Sequence, residues 1–249
     1  MERRWFSLED RPELFDAAIA VDGDANDASF MQHDTIGDLA NASRLRDRWP
    51  GFFLVLVEGD QVIARAVMIP FSELAPGRET LPDTGWDGAV LWAAQDALDG
   101  IDPTVACALE INVDPSSRGQ GISSEAVYAM RDTAHRRGMS ALVAPVRPPD
   151  KAGQPFVPMN DYARQTRDDG LPIDRWLRVH VRAGGEIVGI APFSMVVVGA
   201  LDDWRRWTGM SFDSDGLIAV PGGLAPVLVS QHLGTAVYAE ANVWVRHRL

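Results

Sequence analysis

Apolar positions along the 249-residue chain switch several times between a spacing of three to four and a spacing of two. That alternation predicts a mixed α/β protein, with helices and strands interleaved rather than segregated. Leu14, Phe15, Ala18 and Ile19 share a helical face over residues 12–21, with Pro12 near the first turn and the polar run 22–27 as the stop. Ile36, Leu39, Ala40 and Leu45 predict a second helix over residues 35–49, ended by Pro50-Gly51. The β-rich runs 52–57 and 61–69, joined at Glu58-Gly59-Asp60, predict a hairpin. Residues 70–85, rich in Pro, Gly and acid, predict an irregular insertion, and Val90, Leu91, Ala94 and Leu98 mark a helix over 86–98.

The most informative stretch runs from Thr104 to Val146. It predicts a strand over 104–113, a loop over 114–121, an amphipathic helix over 122–137 with Ile122, Ala126, Met130 and Ala134 in register, and a strand over 139–146. A strand–helix–strand unit of this length places its strands parallel. A Pro-rich loop follows within 145–171, then a helix over 173–183 closed by Gly184-Gly185, strands over 186–191 and 195–198, and a short helical piece at 202–207. The strand 237–245 alternates cleanly, with Val237, Ala239, Ala241, Val243 and Val245 on one face and Tyr238, Glu240, Asn242 and Trp244 on the other.

Composition narrows the function classes. Lys and Arg number 23 against 35 Asp and Glu, a formal charge of −12, and no basic stripe is present. Such a field disfavours nucleic acid and favours neutral or cationic partners. With 46% hydrophobic residues the chain is long enough for one sizeable core, so a single domain over 1–249 is expected. Cys107 is the one cysteine and lies in an apolar run, as a buried inert thiol would. No disulfide, signal peptide or membrane span is read, which predicts a cytoplasmic protein, and no metal is expected.

The candidate chemistry centres on the turn between strand 104–113 and helix 122–137. A helix N-terminus offers unpaired N–H groups and the positive end of its dipole, Gly119 and Gly121 allow close approach of an anion, and Arg118 adds a cation. A Walker loop would need Lys after Gly121, where Ile122 stands. A dinucleotide fingerprint would need a third Gly at Ser124 and an acid ending the next strand, where Arg147 stands. The segment from Leu109 to Gly138 instead resembles the acyl-CoA-binding motif of the GNAT superfamily of N-acetyltransferases. The family's V-x-P strand end is matched by Val113-Asp114-Pro115, and its [QR]-x-x-G-x-[GA] loop by Arg118 to Ser123, with Ser123 departing at the last small position. The resemblance covers roughly residues 10–192 and leaves 200–249 as an extension without counterpart.

The resemblance implies a GNAT fold, α/β (α+β), with a mixed central sheet splayed between two parallel strands and helices on both faces. It implies acetyl-CoA or another acyl-CoA as co-substrate, bound by Ile111, Val113, Arg118, Gly119, Gln120, Gly121, Ile122 and Ser123. The activity implied is acyl transfer from CoA to the amine of a small molecule or peptide. A family helix ending A-x-x-x-Y-x-x-x-G-F is matched around residues 176–185, with His180 at the position of the Tyr that protonates the leaving thiolate and Trp176 at the small residue. His180 is thus the candidate acid, or a helical His without chemistry. Glu110, read on the face opposite Cys107, Leu109, Ile111 and Val113, is the candidate base, or a paired structural acid. Asn112, Tyr238, Glu240 and Asn242 are candidates for lining an acceptor pocket, and the Asp202–Trp207 piece could cover it or meet another subunit in a homodimer. The alternative is a GNAT-fold protein that binds a CoA thioester or a partner without N-acyl transfer.

Overall fold

A computed structural model describes residues 2–21 and 28–249; the polar run 22–27 lies outside the described residues. The strands are β1 (Arg3–Ser7), β2 (Phe53–Glu58), β3 (Gln61–Phe71), β4 (Val105–Val113), β5 (Ala141–Val146), β6 (Glu186–Ala200), β7 (Gly216–Ile218), β8 (Val227–Ser230) and β9 (Thr235–Arg248). The helices are α1 (Phe15–Ile19), α2 (Ala42–Arg48), α3 (Gly85–Asp99), α4 (Ile122–Arg136), α5 (Met159–Tyr162), α6 (Arg175–Arg182) and α7 (Leu201–Thr208). All nine strands join one mixed sheet in the order β1-β2-β3-β4-β5-β9-β8-β7, with β6 on the other edge of β9. Among the described residues no helix is long and apolar enough to cross a membrane.

The sheet is split in the middle. β4 and β5 are parallel and paired only from Val105 opposite Ala141 to Cys107 opposite Val143. Beyond that they part, and β5 continues against β9 while β4 continues against β3. Each face carries its own core. On one, Ala126, Met130 and Ala134 of α4 and Leu177 of α6 pack against Ala106, Leu142 and Val245. On the other, Ala89, Val90 and Ala93 of α3, with Ala18 and Leu45, pack against Val67, Cys107 and Val143. Leu91 and Leu98, expected on the packed face of α3, are exposed.

Among the boundaries that differ from the periodicity, three have a plain local cause. The helix expected over 35–49 is broken at Asn41, whose side chain accepts the Arg44 N–H at 3.0 Å and starts α2 afresh. The helix expected from Ile173 starts at Arg175, because Asp174 caps the Trp176 and Leu177 N–H groups at 2.8 and 3.1 Å. The two strands read at 186–191 and 195–198 are one strand, β6, bulged between Ala191 and Met195. The 72–84 loop is tied down as well, since Arg78 makes two 2.7 Å bonds to the buried Asp96 and lies over the Trp92 ring.

Residues 200–249, without counterpart in the motif reading, prove central. β9 runs along β6 over nearly its whole length, with β5 and then β8 on its other edge. Its alternation has the reverse sense from the usual one: Tyr238, Glu240 and Asn242 are buried, while Val237, Ala239 and Ala241 are half-buried.

Candidate active site

Where β4 and β5 part, a cavity of about 490 Å³ passes between them from one helical layer to the other. Ser123, Arg118, Trp176 and His180 line it on the side of α4 and α6, and Trp86, Met195, Asn242 and Arg147 line it toward α3 and the bulge of β6.

At the first end, the strand-to-helix turn is built as its residues require. Gly119 and Gly121 stand at φ of 78° and 80°, and a Cβ at either would meet nothing, so both are glycine for backbone conformation and leave open space in front of the turn. Gly121 caps α4 without a side-chain bond, which leaves the first N–H groups of that helix directed outward. Outward N–H groups of this kind suit an anion, and Arg118 stands in the same turn. Ile111, Val113, Arg118 and Ser123 line the cavity. Ile122 does not: its side chain is buried among Leu56, Ile63 and Ala64, so only its backbone is available to a ligand. The Gln120 side chain is turned to the Arg3 guanidinium on β1.

At the second end, a bulge redirects β4. Val67 of β3 faces Glu110 but Met68 faces Ala108, so Leu109 is the extra residue. Leu109 therefore stays with Cys107 on the α3 side, while Ile111 packs on the α4 side. Glu110 lies on the same side as Leu109, not opposite it as strict alternation implied. Its Oε1 is held by Arg65 and by the Asn112 amide at 2.9 Å. Arg65 is in turn fixed by the carbonyls of Ala18, Ile19 and Val21 at 2.9–3.2 Å.

Of the four residues expected in an acceptor pocket, Asn112 and Asn242 line the cavity and Tyr238 and Glu240 do not. The fully buried Glu240 takes Arg147 Nε on both oxygens at 3.0 and 3.1 Å, Tyr238 Oη at 2.6 Å and Asn242 Nδ2 at 3.1 Å. Two of these partners, Arg147 and Asn242, line the cavity. Asn242 Oδ1 accepts from Ser194 Oγ at 2.6 Å, and Ser194 Oγ accepts the Trp86 N–H at 2.8 Å. Nearby, burial and the facing Asp34 carboxylate push Asp87 up to about 8. The deviant alternation of Tyr238, Glu240 and Asn242 signals this network. A single charge, Arg65, within the apolar run 61–69 was the corresponding signal for the Glu110 partner.

His180 lines the cavity four residues after Trp176 on α6 and is buried, with Nδ1 at 3.0 Å from His247 Nε2. Burial and then the neighbouring His247 push it down to about 3, and burial with Arg131 pushes His247 down to about 4. His180 is therefore a neutral imidazole at neutral pH, and any proton it offers the cavity comes from the N–H of an uncharged ring. Cys107, also buried, is held as a neutral thiol by its apolar surroundings.

Comparison with known proteins agrees with this architecture. The model of the acetyltransferase (GNAT) family matches residues 23–159. The chain belongs to the GNAT family. Arginine N-acetyltransferase avaD of Aspergillus versicolor is 33% identical over 187 residues, covering 67% of this chain and 64% of that protein. The match thus spans somewhat less than two thirds of that relative's length. Two solved structures share the GNAT fold across the whole chain. The loading GNATL domain of CurA from Lyngbya majuscula has a TM-score of 0.60 at 15% identity, covering 100% of this chain and 98% of that one. The GphF GNAT-like decarboxylase in complex with isobutyryl-CoA has a TM-score of 0.52 at 18% identity, covering 100% and 99%. The GNAT fold therefore includes residues 200–249.

Proposed function

We propose that this GNAT protein transfers an acetyl or other acyl group from CoA to the amine of a small molecule. The observation that carries the reading is the cavity through the split sheet, with Arg118 and Ser123 of the strand-to-helix turn at one end and the Glu110 carboxylate at the other. The thioester supplies an activated acyl carbon. Arg118 and the backbone N–H groups from Gly119 to Ser123 hold the CoA phosphates, and Ile111 and Val113 flank the arm. Glu110, oriented by Arg65 and Asn112, draws in the acceptor and takes its proton, while Trp86, Asn242 and Arg147 shape the acceptor end. Proximity supplies most of the rate. The named activity of the Aspergillus relative and the net charge of −12 make arginine and other cationic amines the first acceptors to try.

A panel of acetyl-CoA, CoA, NAD and NADP in a thermal-shift assay tests the first part, and stabilisation by neither CoA form sinks it. With an accepted amine, Glu110→Gln should lower CoA release by roughly 10²-fold, within the range for acid–base groups, and His180→Ala, which removes the ring from the cavity wall, should lower it as well; unchanged rates would remove both residues from the site. Trp176, standing where the family motif has a small residue and lining the cavity, favours a second reading: a protein that binds the thioester without passing its acyl group to an amine. Stabilisation by acyl-CoA with no CoA release across the amine panel would favour that one.

A further inference from the structure

Glu240 does not line the cavity, but it governs how a residue that does is turned. It is fully buried on β9, two residues before Asn242 and on the same side of the strand. Arg147 Nε, which can only donate, reaches Oε1 at 3.0 Å and Oε2 at 3.1 Å, so both oxygens accept. Tyr238 Oη takes the Leu224 N–H at 2.8 Å and donates its own hydrogen to Oε2 at 2.6 Å. Burial and then the Glu240 charge push that hydroxyl up, so it stays a donor.

These partners leave the Asn242 amide one way to sit. Its Nδ2 lies 3.1 Å from Glu240 Oε1 and 3.1 Å from the Ala241 carbonyl, and both of those oxygens accept. Exchanging the amide nitrogen and oxygen would set an oxygen against each of them, in a buried place where neither contact could be relieved by water. On the other side, Ser194 Oγ receives the Trp86 N–H at 2.8 Å and donates to Asn242 Oδ1 at 2.6 Å. Nδ2 is therefore engaged with two acceptors, while Oδ1 keeps a second lone pair beside the one that Ser194 uses. Asn242 lines the cavity, and what it can still offer a ligand is that lone pair.

We propose that Glu240 is a positioning residue of the acceptor end, which holds the Asn242 amide so that Oδ1 receives an N–H of the amine to be acylated. The role rests on the acyl-transfer reading and narrows its acceptor. The Glu110 carboxylate also lines the cavity, so the acceptor meets two groups that take N–H bonds. A primary ammonium or a guanidinium carries enough N–H groups to serve both. The acceptor class is thus an amine rich in N–H donors, not merely a cation.

Calorimetric titration of arginine, lysine and putrescine into the full chain loaded with CoA tests this without any transfer step. Glu240→Gln keeps the size of the side chain but brings an NH2 group where donors converge, and Asn242→Ala removes the lone pair. Each should weaken the tightest of the three amines about tenfold, the scale of one hydrogen bond, and leave the affinity for CoA within about twofold. The double variant should bind that amine no more weakly than Asn242→Ala alone. A Glu240→Gln loss that persists in the Asn242→Ala background comes from the Glu240 charge acting at range, and overturns the role. Unchanged affinity in either single variant, or no binding of any of the three amines to the wild type, overturns it too. In the wild type the Asn242 Nδ2 protons, assigned by NMR with Asn242→Ala, should exchange slowly with solvent; fast exchange sinks the proposal even where Glu240→Gln does not fold. Amine binding with the expected pattern in a chain that releases no CoA from acyl-CoA refutes the acyl-transfer reading alone.

Discussion

Asp87 of α3 is a buried carboxyl facing Asp34 of the N-terminal segment. Its carboxyl titrates at about 8 in the folded chain against 3.8 unfolded, because it is buried facing Asp34. The folded chain therefore holds a proton that the unfolded chain has released, and this group's contribution to stability is full below about pH 4 and lost as the pH rises through about 8. His180 and His247 act in the opposite sense: both are depressed from 6.5, to about 3 and about 4, so their contribution is present above about 6.5 and lost on acidification. Melting temperatures from pH 4 to 9 should fall toward alkaline pH in the wild type, and Asp87→Asn should flatten that limb while leaving the acid limb in place. An unchanged alkaline limb in the variant would show that Asp87 does not carry it. The glycine loop was readable from residues 113–123 because its chemistry is local. The histidine pair was not, since its partners lie 67 positions apart and neither carries a pattern of its own.

At the scale of elements, caps and bulges set the site more than periodicity does. Asp174 starts α6, which carries Trp176 and His180, and also accepts the Asp150 N–H at 3.0 Å. Asp174→Ala should cost about 2 kcal/mol, the upper end of the range for a helix cap, and lower acyl-CoA affinity with it, as denaturant melts and ligand titration would show. Gly85, at φ 43°, lets α3 rest on the β6 bulge, and a Cβ there would sit 2.2 Å from Ser194 Oγ. Gly85→Ala should therefore destabilise by about 1–3 kcal/mol and displace the Trp86 wall; a stability unchanged in the same melts would contradict that packing. Alternation correctly marked β2 to β5 and β9 as strands. It could not show the extra residue at Leu109, which moved Glu110 onto the Cys107 face, because a bulge leaves no period of its own. Nor could it show that the polar side of β9 points inward, a choice made by Arg147, Ser194 and Tyr238 together.

For the molecule as a whole, the net charge of −12 and the cationic helix start coexist because one acts at range and the other at contact. Salt screens the first more than the second. The KM of a cationic acceptor should therefore rise several-fold between about 20 and 300 mM salt while that of a neutral amine stays level; equal responses would place the attraction elsewhere. The nine-stranded sheet also has a temporal side. β9 is flanked by β5, β6 and β8, all of which precede it in the chain. Those strands emerge from a ribosome without the partner that unites them, and contacts of such long sequence separation form slowly. The cavity wall at Asn242, with Glu240 behind it, is thus made last, after the glycine turn at 118–123 and the strands that flank it are already synthesised.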